Sequence, residues 1–183
     1  MVKSRLNQQQ ESFSPGDEGV PPPEKRYRWV MLTLAWLLYV SYGLVAFSLP
    51  PLVTPIIAEL NISHSQMGII MGAWPLTYII VAAISGAIID RWGIRKSIFL
   101  GIVLIGLSEV LRFFTNGFAA MFLCVALFGV GGPMISIGAP KTISLWFRGK
   151  GRGMAVGIYT TGTWIGGLVA MSSVNSLFMP LTG

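Results

Sequence analysis

The chain has 183 residues, of which 53% are hydrophobic and 11% are charged, and its mean hydropathy is +0.67. Soluble domains carry about 25% charged residues, so the composition excludes an ordinary soluble domain and indicates an all-α integral membrane protein. The net charge of +6 does not indicate a nucleic-acid partner. Every Lys and Arg except Arg112 lies in the N-terminal tail or in one of two basic clusters between apolar runs.

Five apolar segments are long enough to cross a membrane, which takes about 20 residues of helix. They cover residues 29–49, 66–89, 97–114, 118–147 and 153–178. The preceding residues 1–28 are polar and rich in Gln, Ser, Gly and Pro, so they are predicted to form a disordered cytoplasmic tail. Because Lys and Arg accumulate on the inner face of a membrane, we expect a multi-pass protein of the plasma (inner) membrane with a cytoplasmic N-terminus.

Proline is predicted to interrupt two of these spans at similar positions. The first span breaks at residues 49–51, and the fourth breaks at residues 131–133 and again at residues 139–140. Interruptions at corresponding places in two halves are typical of the substrate path in transporters with inverted repeats, but proline also marks ordinary helix ends and kinks. Both interpretations stand. The candidate residues for such a path are Tyr39, Tyr42, Pro133 and Lys141.

Glu109 and Arg112 are charged residues inside a predicted span. Their i,i+3 spacing places them on one helix face, and a lone charge in hydrocarbon costs about 2.5–3.5 kcal/mol on insertion scales. An intramembrane ion pair is therefore predicted, with substrate binding, or extension of Arg112 to the headgroups, as alternatives. Lys141 has two interpretations of equal weight: the cationic partner of an anionic substrate, or a lysine that reaches the cytoplasmic interface.

Catalytic chemistry is not indicated. The chain has one His and one Cys, and it lacks clustered metal-ligand residues and a phosphate-binding glycine loop. We therefore expect no enzyme activity, no cofactor and no metal site.

A short polar segment between the second and third spans reads Gly-Ala-Ile-Ile-Asp-Arg-Trp-Gly-Ile-Arg-Lys from Gly86 to Lys96. It resembles the signature loop of the major facilitator superfamily, G-x-x-x-D-R-x-G-x-[RK]-[RK]. Residues 146–153 also resemble that family's W-F-x-x-x-x-R-G, which ends the fourth helix. The resemblance implies an inner-gate motif formed by Gly86, Asp90, Arg91, Gly93, Arg95, Lys96 and Arg152.

The resemblance also implies the fold: the N-terminal five helices of a twelve-helix major facilitator fold, present as a fragment. In that fold spans one and four line the central cavity, spans two and five contact the other half, and span three is peripheral. Two positions depart from the family's patterns. Val125 stands where the fourth helix commonly has an arginine, and Thr163 replaces the proline of the antiporter motif. The first departure speaks against proton coupling through that arginine, and the second speaks against a drug/proton antiporter.

The function implied is secondary active transport of small solutes by alternating access. A loose resemblance to the cyanate and nitrite/nitrate carriers makes anions the expected solutes. The implied partners are the lipid bilayer, a small-molecule substrate and the missing C-terminal helices of the same transporter. Without those helices, the glycine-rich faces of spans two and five are expected to lack packing partners. The alternative is a non-transporting membrane partner or sensor subunit built on a transporter fragment.

Overall fold

The computed structural model describes residues 25–147 and 149–177, and the regular structure in these residues is entirely helical. In chain order it comprises α1 (Lys25–Ala46), a 3₁₀ turn (Pro50–Leu52), α2 (Val53–Leu60), α3 (His64–Trp92), α4 (Ile94–Arg112), α5 (Phe118–Trp146) and α6 (Lys150–Leu177). The all-α prediction is confirmed. Residues 1–24 of the predicted tail, Arg148 and residue 178 lie outside the described residues, and α1 already begins within the predicted tail.

The connection between α1 and α3 is more regular than the predicted loop, because it contains α2. Pro55 lies in the first turn of α2, where its missing N–H costs no helical hydrogen bond. Asn61 ends α2 in the left-handed conformation, with φ of 49°. Ser63 then caps α3: its hydroxyl accepts from the Gln66 N–H at 3.1 Å, and its own N–H donates to the Gln66 side chain at 2.8 Å.

A single residue, Gly93, separates α3 from α4. Its φ of 88° is in the region that favours glycine. The Gly93 N–H donates to the Ile89 carbonyl oxygen at 2.9 Å, and the Gly93 carbonyl accepts from the N–H of Ser97 at 3.2 Å. The chain therefore reverses direction within one residue, as the sequence motif predicts.

The helix connections lie at two ends of the bundle. The α3–α4 turn and the α5–α6 connection lie at one end, which we call the basic end and define by residues 90–96, 147 and 149–152. The start of α1 lies there too, because the ring of Trp29 is 6.1 Å from the ring of Phe147. The α1–α3 connection and residues 113–117 lie at the opposite end.

Helix α5 lies between α3 and α4, and α1 packs mainly against α6. Hydroxyl groups join α5 to both neighbours: Thr77 of α3 donates to the Ala126 carbonyl at 3.0 Å, and Ser108 of α4 donates to the Cys124 carbonyl at 2.7 Å. Such hydrogen bonds between helices hold membrane bundles together. The central position of α5 is what brings residues of α3 and α4 to one interior.

The glycine-rich faces differ in part from expectation. Gly162 and Gly166 of α6 pack against the backbone of α1, where a Cβ on Gly162 would lie 2.6 Å from the carbonyl oxygen of Trp36. The expectation that these two glycines lack a partner is wrong, because α1 and α6 belong to the same chain and their backbones touch. Among the described residues, nothing packs within 4 Å of a Cβ built on Gly68, Gly72, Gly86, Gly153 or Gly157.

Helix α5 continues without a break past Pro133 and Pro140, so the two predicted interruptions do not occur. Proline removes one helical hydrogen bond and crowds the preceding turn, but α3 and α4 hold α5 on two sides. Helix α1, in contrast, ends at Ala46, just before the prolines at residues 50 and 51. The predicted correspondence between a break in the first span and a break in the fourth span is therefore not seen, because α5 is continuous.

Four segments within the described residues are long and apolar enough to cross a membrane: Tyr27–Leu60, which includes α1, the 3₁₀ turn and α2, and the helical segments His64–Trp92, Phe118–Trp146 and Gly151–Ser173. Helix α4, which covers most of the third predicted span, is not among them. It has 19 residues and carries charged side chains near both ends: Arg95, Lys96, Glu109 and Arg112. Large apolar side chains are exposed on all of these helices, as expected for surfaces that face lipid or further helices.

Candidate functional site

Aromatic rings run through the interior of the bundle between α1, α3, α5 and α6. The ring centroid of Trp74 is 6.0 Å from that of Phe128, and Phe128 stacks on Tyr42 at 5.5 Å. Tyr42 lies 6.5 Å from Tyr39, which contacts Tyr159 at 4.7 Å. We call these five residues the aromatic strip. Tyr39 and Tyr42, which the sequence analysis assigned to a substrate path, both belong to it.

Hydroxyl groups make the middle of this strip polar. The hydroxyls of Tyr78 on α3 and Ser136 on α5 are hydrogen-bonded at 2.7 Å. A Cβ on Gly132 would lie 3.0 Å from the Tyr78 ring and 3.4 Å from the Tyr42 hydroxyl oxygen. The missing side chain at Gly132 therefore lets two tyrosines approach the backbone of α5. Pro133, the third residue of the predicted path, is buried beside it.

The sequence analysis did not single out Trp74, Tyr78, Phe128, Ser136 or Tyr159. A feature of α3 could have identified two of them. Trp74 and Tyr78 are four positions apart and share one helix face, whereas the aliphatic residues between and after them, such as Ile79 and Ile80, are exposed. The division of α3 into an aromatic inner face and an aliphatic outer face is thus visible in the sequence. No comparable feature marks Ser136.

Glu109 and Arg112 lie at the end of α4 near the opposite end of the bundle. A Glu109 carboxylate oxygen is 2.5 Å from Arg112 Nη1, and the Arg112 side chain is 10% exposed, against 32% for Glu109. The guanidinium carbon lies 5.7 Å from the ring centroid of Phe128, in the range of a cation–π contact. Arg112 therefore turns inward and reaches one end of the aromatic strip.

A cavity of about 30 Å³ adjoins Arg112. Val125, noted above as a departure from the family pattern, lines this cavity together with Arg112. The guanidinium beside position 125 thus belongs to Arg112 of α4, whereas the family pattern has an arginine at the position of Val125 in α5.

Asp90 and Lys141 form an ion pair at the basic end, which the sequence analysis did not foresee. Lys141 Nζ donates to Asp90 Oδ1 at 2.6 Å, and the two side chains are 37% and 72% exposed, respectively. The pair joins the end of α3 to α5. Lys141, a candidate for the substrate path, therefore contacts the predicted gate motif.

The remaining motif residues lie around this pair without forming a closed pocket. Arg91, Arg95, Lys96 and Arg152 are exposed, and Gly93 forms the turn between α3 and α4. Within residues 25–147 and 149–177, no group of three or more His, Cys, Asp or Glu residues lies close enough to hold a metal ion. Among the described residues, the groups available between the helices are therefore hydroxyls, aromatic rings and the partly buried pair of Glu109 and Arg112.

A bundle of membrane-length helices that places hydroxyls and a guanidinium in its interior defines the class: a multi-pass integral membrane protein. Within that class, the sequence matches the family model described as Major Facilitator Superfamily over residues 35–180. The chain belongs to this family. The family resemblance based on residues 86–96 and 146–153 is thereby confirmed.

Several relatives have named transport activities. The chain is 28% identical to the hexuronate transporter of Bacillus subtilis over 112 residues, which are 61% of this chain and 26% of that protein. It is 28% identical to probable anion transporter 3, chloroplastic, of Arabidopsis thaliana over 149 residues, 80% of this chain and 29% of that protein. It is 26% identical to the galacturonate transporter of Dickeya chrysanthemi over 150 residues, 80% of this chain and 42% of that protein. The matches thus cover less than half the length of these relatives.

Proposed function

We propose that this chain forms part of a secondary transporter that carries small organic anions across a membrane by alternating access. Transport follows from the family, which the match over residues 35–180 establishes. The names of the relatives, which include hexuronate, galacturonate and anion transporters, support anionic solutes. A sugar acid has a carboxylate and several hydroxyls, so its binding site needs a cationic group and hydroxyl-bearing side chains.

The observation that carries this assignment is the set of hydroxyls on the aromatic strip. The hydroxyls of Tyr78 and Ser136 are hydrogen-bonded to each other, and the hydroxyl of Tyr42 lies near Gly132, so these three groups meet where α1, α3 and α5 pack together. Polar groups inside a membrane bundle are costly and mark substrate paths. Tyrosine offers both a hydroxyl for hydrogen bonds and a ring face for the apolar side of a sugar.

We also propose five membrane crossings, with α4 as the third. Its 19 residues span about 28 Å at 1.5 Å per residue, close to the roughly 30 Å of hydrocarbon. Crossing by α4 is supported by its ends, which join the basic end to the opposite end. The basic residues then lie on the cytoplasmic side of the plasma membrane, with the N-terminus.

Cysteine labelling tests this topology in a Cys124→Ser background. Ser63→Cys at the start of α3 and Arg95→Cys at the start of α4 are compared in intact cells with an impermeant maleimide. Position 63 should react from outside, and position 95 only after permeabilisation. The reverse pattern contradicts the proposed orientation.

Alternating access needs a second group of helices that rocks against the first around a site near the membrane midplane. The described residues have five membrane-length or near-membrane-length helices and unfilled glycine faces on α3 and α6. We therefore propose that this chain provides part of the N-terminal half of the transporter and that further helices complete the path. Liposomes that contain the 183-residue chain alone should show no saturable galacturonate uptake above empty liposomes. Saturable uptake would contradict this part of the proposal.

Equilibrium binding of radiolabelled galacturonate to the chain in lipid nanodiscs tests the assignment of solute and site. We expect saturable binding that unlabelled glucuronate displaces and galactose does not. Tyr42→Phe and Tyr78→Phe should each weaken binding about fivefold to tenfold, because each removes one hydrogen bond. Tyr27→Phe is the matched control, because Tyr27 is exposed at the basic end.

Two results would contradict the proposal. Absence of saturable binding would exclude an organic-anion site within this chain. Equal displacement by galactose would exclude recognition of the carboxylate. Binding without transport, when the chain is assembled with the remaining helices, would favour the sensor or partner subunit instead.

A further inference from the structure

We propose that Arg112 binds the carboxylate of the organic anion at the small cavity lined by residues of α1, α3, α4 and α5. Glu109 pairs with the guanidinium until the carboxylate of the anion replaces it. This inference rests on the proposed function, because it names the group that receives the negative charge.

The orientation of Arg112 is the first reason. A cationic side chain near the end of a membrane helix ordinarily extends to the headgroups. Arg112 is 10% exposed, whereas Phe113 and Phe114, which follow it, are 87% and 68% exposed. The cation therefore points into the bundle while two aromatic rings face outward. An inward cation needs a negative partner inside.

The cavity beside Arg112 is the second reason. Its volume of about 30 Å³ exceeds the roughly 10–15 Å³ that one water requires, so a group the size of a carboxylate fits. Apart from Arg112 and the indole of Trp74, the residues that line it are apolar, among them Val45, Met71 and Val125. A carboxylate in such a cavity has the guanidinium as its charged partner, and the low dielectric strengthens their attraction.

The third reason is that Glu109 satisfies the guanidinium incompletely. Arginine has five N–H donors in a planar fork and binds carboxylates best through two parallel hydrogen bonds. Glu109 Oε1 lies near Nη1, but that oxygen and Arg112 Nε are both buried without a hydrogen-bond partner among the described residues. The contact with Glu109 therefore offsets the charge of Arg112 but does not have the geometry of a hydrogen bond. A ligand carboxylate that reaches Nε completes the fork.

The position of the cavity relative to the aromatic strip is the fourth reason. Phe128, which lies under the guanidinium, stacks on Tyr42 at 5.5 Å. Trp74 and Phe128 of the strip line the cavity, so an anion anchored at Arg112 meets these two rings. A sugar acid suits this arrangement, because its carboxylate pairs with Arg112 and its ring packs against aromatic faces.

The test compares four variants in the nanodisc binding assay with radiolabelled galacturonate. Arg112→Lys keeps the charge but loses the fork, and should weaken binding about tenfold. The double variant Glu109→Gln/Arg112→Gln removes both charges without leaving a lone one, and should weaken binding by 10- to 100-fold or more, the loss expected for a charge-assisted hydrogen bond. Glu109→Gln alone removes the competing carboxylate and should tighten binding several-fold.

Arg28→Gln is the matched control. The guanidinium of Arg28 also lies over aromatic rings, 5.8 Å from Trp29 and 5.9 Å from Phe147, but at the basic end. The Arg28→Gln variant should bind galacturonate as tightly as the unmodified chain does. Size-exclusion profiles and circular dichroism establish that each variant is folded, and the double variant keeps the test valid if a single variant unfolds.

The outcomes separate this inference from the proposed function. If the unmodified chain binds galacturonate and the Arg112 variants bind equally well, the carboxylate lies elsewhere and only this inference is wrong. If the unmodified chain does not bind, both are wrong. Nitrate, a planar inorganic anion, serves as competitor at constant ionic strength. We expect little displacement, and displacement as strong as that by glucuronate would overturn the assignment of an organic carboxylate.

Discussion

Two ion pairs lie at the two ends of this bundle, and their surroundings differ. Asp90 and Lys141 join two helices across 51 positions of sequence and are open to solvent. Glu109 and Arg112 lie within one turn of α4 and turn toward the interior. The first pair links helices at the basic end, where water can replace either partner. In the second pair, the Arg112 side chain is 10% exposed.

Burial, and not the presence of a salt bridge, distinguishes a structural ion pair from a candidate ligand site. An exposed pair contributes about 0–1 kcal/mol, so Asp90–Lys141 is not expected to hold the fold together alone. A buried pair is a weak source of stability, because desolvation offsets the attraction. A charge held in an apolar interior is better explained by a binding role, which we assign to the organic anion.

The largest expected effect concerns the buried pair. Glu109→Gln or Arg112→Gln leaves a lone buried charge, and each should lower the free energy of unfolding by about 3 kcal/mol. The double variant should be more stable than either single variant. Unfolding in mixed detergent micelles measures all four proteins. Additive losses would show that the two side chains do not interact.

A smaller effect is expected at the basic end. Asp90→Asn and Lys141→Gln should each change the free energy of unfolding by less than about 1 kcal/mol, because the partner left behind is solvated. The same micelle assay applies, with Glu59→Gln in α2 as a control for the loss of one charge. A loss of about 3 kcal/mol in either variant would remove the distinction between the two pairs.

The smallest expected effect is the response to salt. Raising the ionic strength from about 0.1 M to 1 M shortens the screening length from about 10 Å to about 3 Å. The coupling energy between Asp90 and Lys141, measured by a double-mutant cycle, should fall toward zero. The coupling between Glu109 and Arg112 should change little. Equal salt dependence would mean that both pairs are solvated.

The sequence predicts much of this fold, because the apolar segments between the basic clusters coincide with the long helices. The turn at Gly93 follows from a pattern in which only glycine suits the backbone. Helix α2 was missed because Pro55 suggests a loop, although the first turn of a helix tolerates proline. The predicted breaks in α5 were wrong because its neighbours support the helix past Pro133 and Pro140.

The site was less predictable, because it depends on how helices rotate against one another. The i,i+3 spacing predicts that Glu109 and Arg112 share a face, but it does not show that the face turns inward. The contact between Asp90 and Lys141 joins two predicted features that local sequence does not connect. Gly162 and Gly166 likewise reveal their partner only when α1 lies against α6.

We expect the guanidinium of Arg112 to receive the carboxylate of the transported anion. Side-chain ¹⁵N NMR of the arginine-labelled chain in nanodiscs measures this contact directly, with Arg112→Lys identifying the resonance. Saturating galacturonate should shift the Nε–H signal of Arg112 and leave that of Arg28 unchanged. An Arg112 signal that stays in place while the chain is saturated with galacturonate would contradict the account.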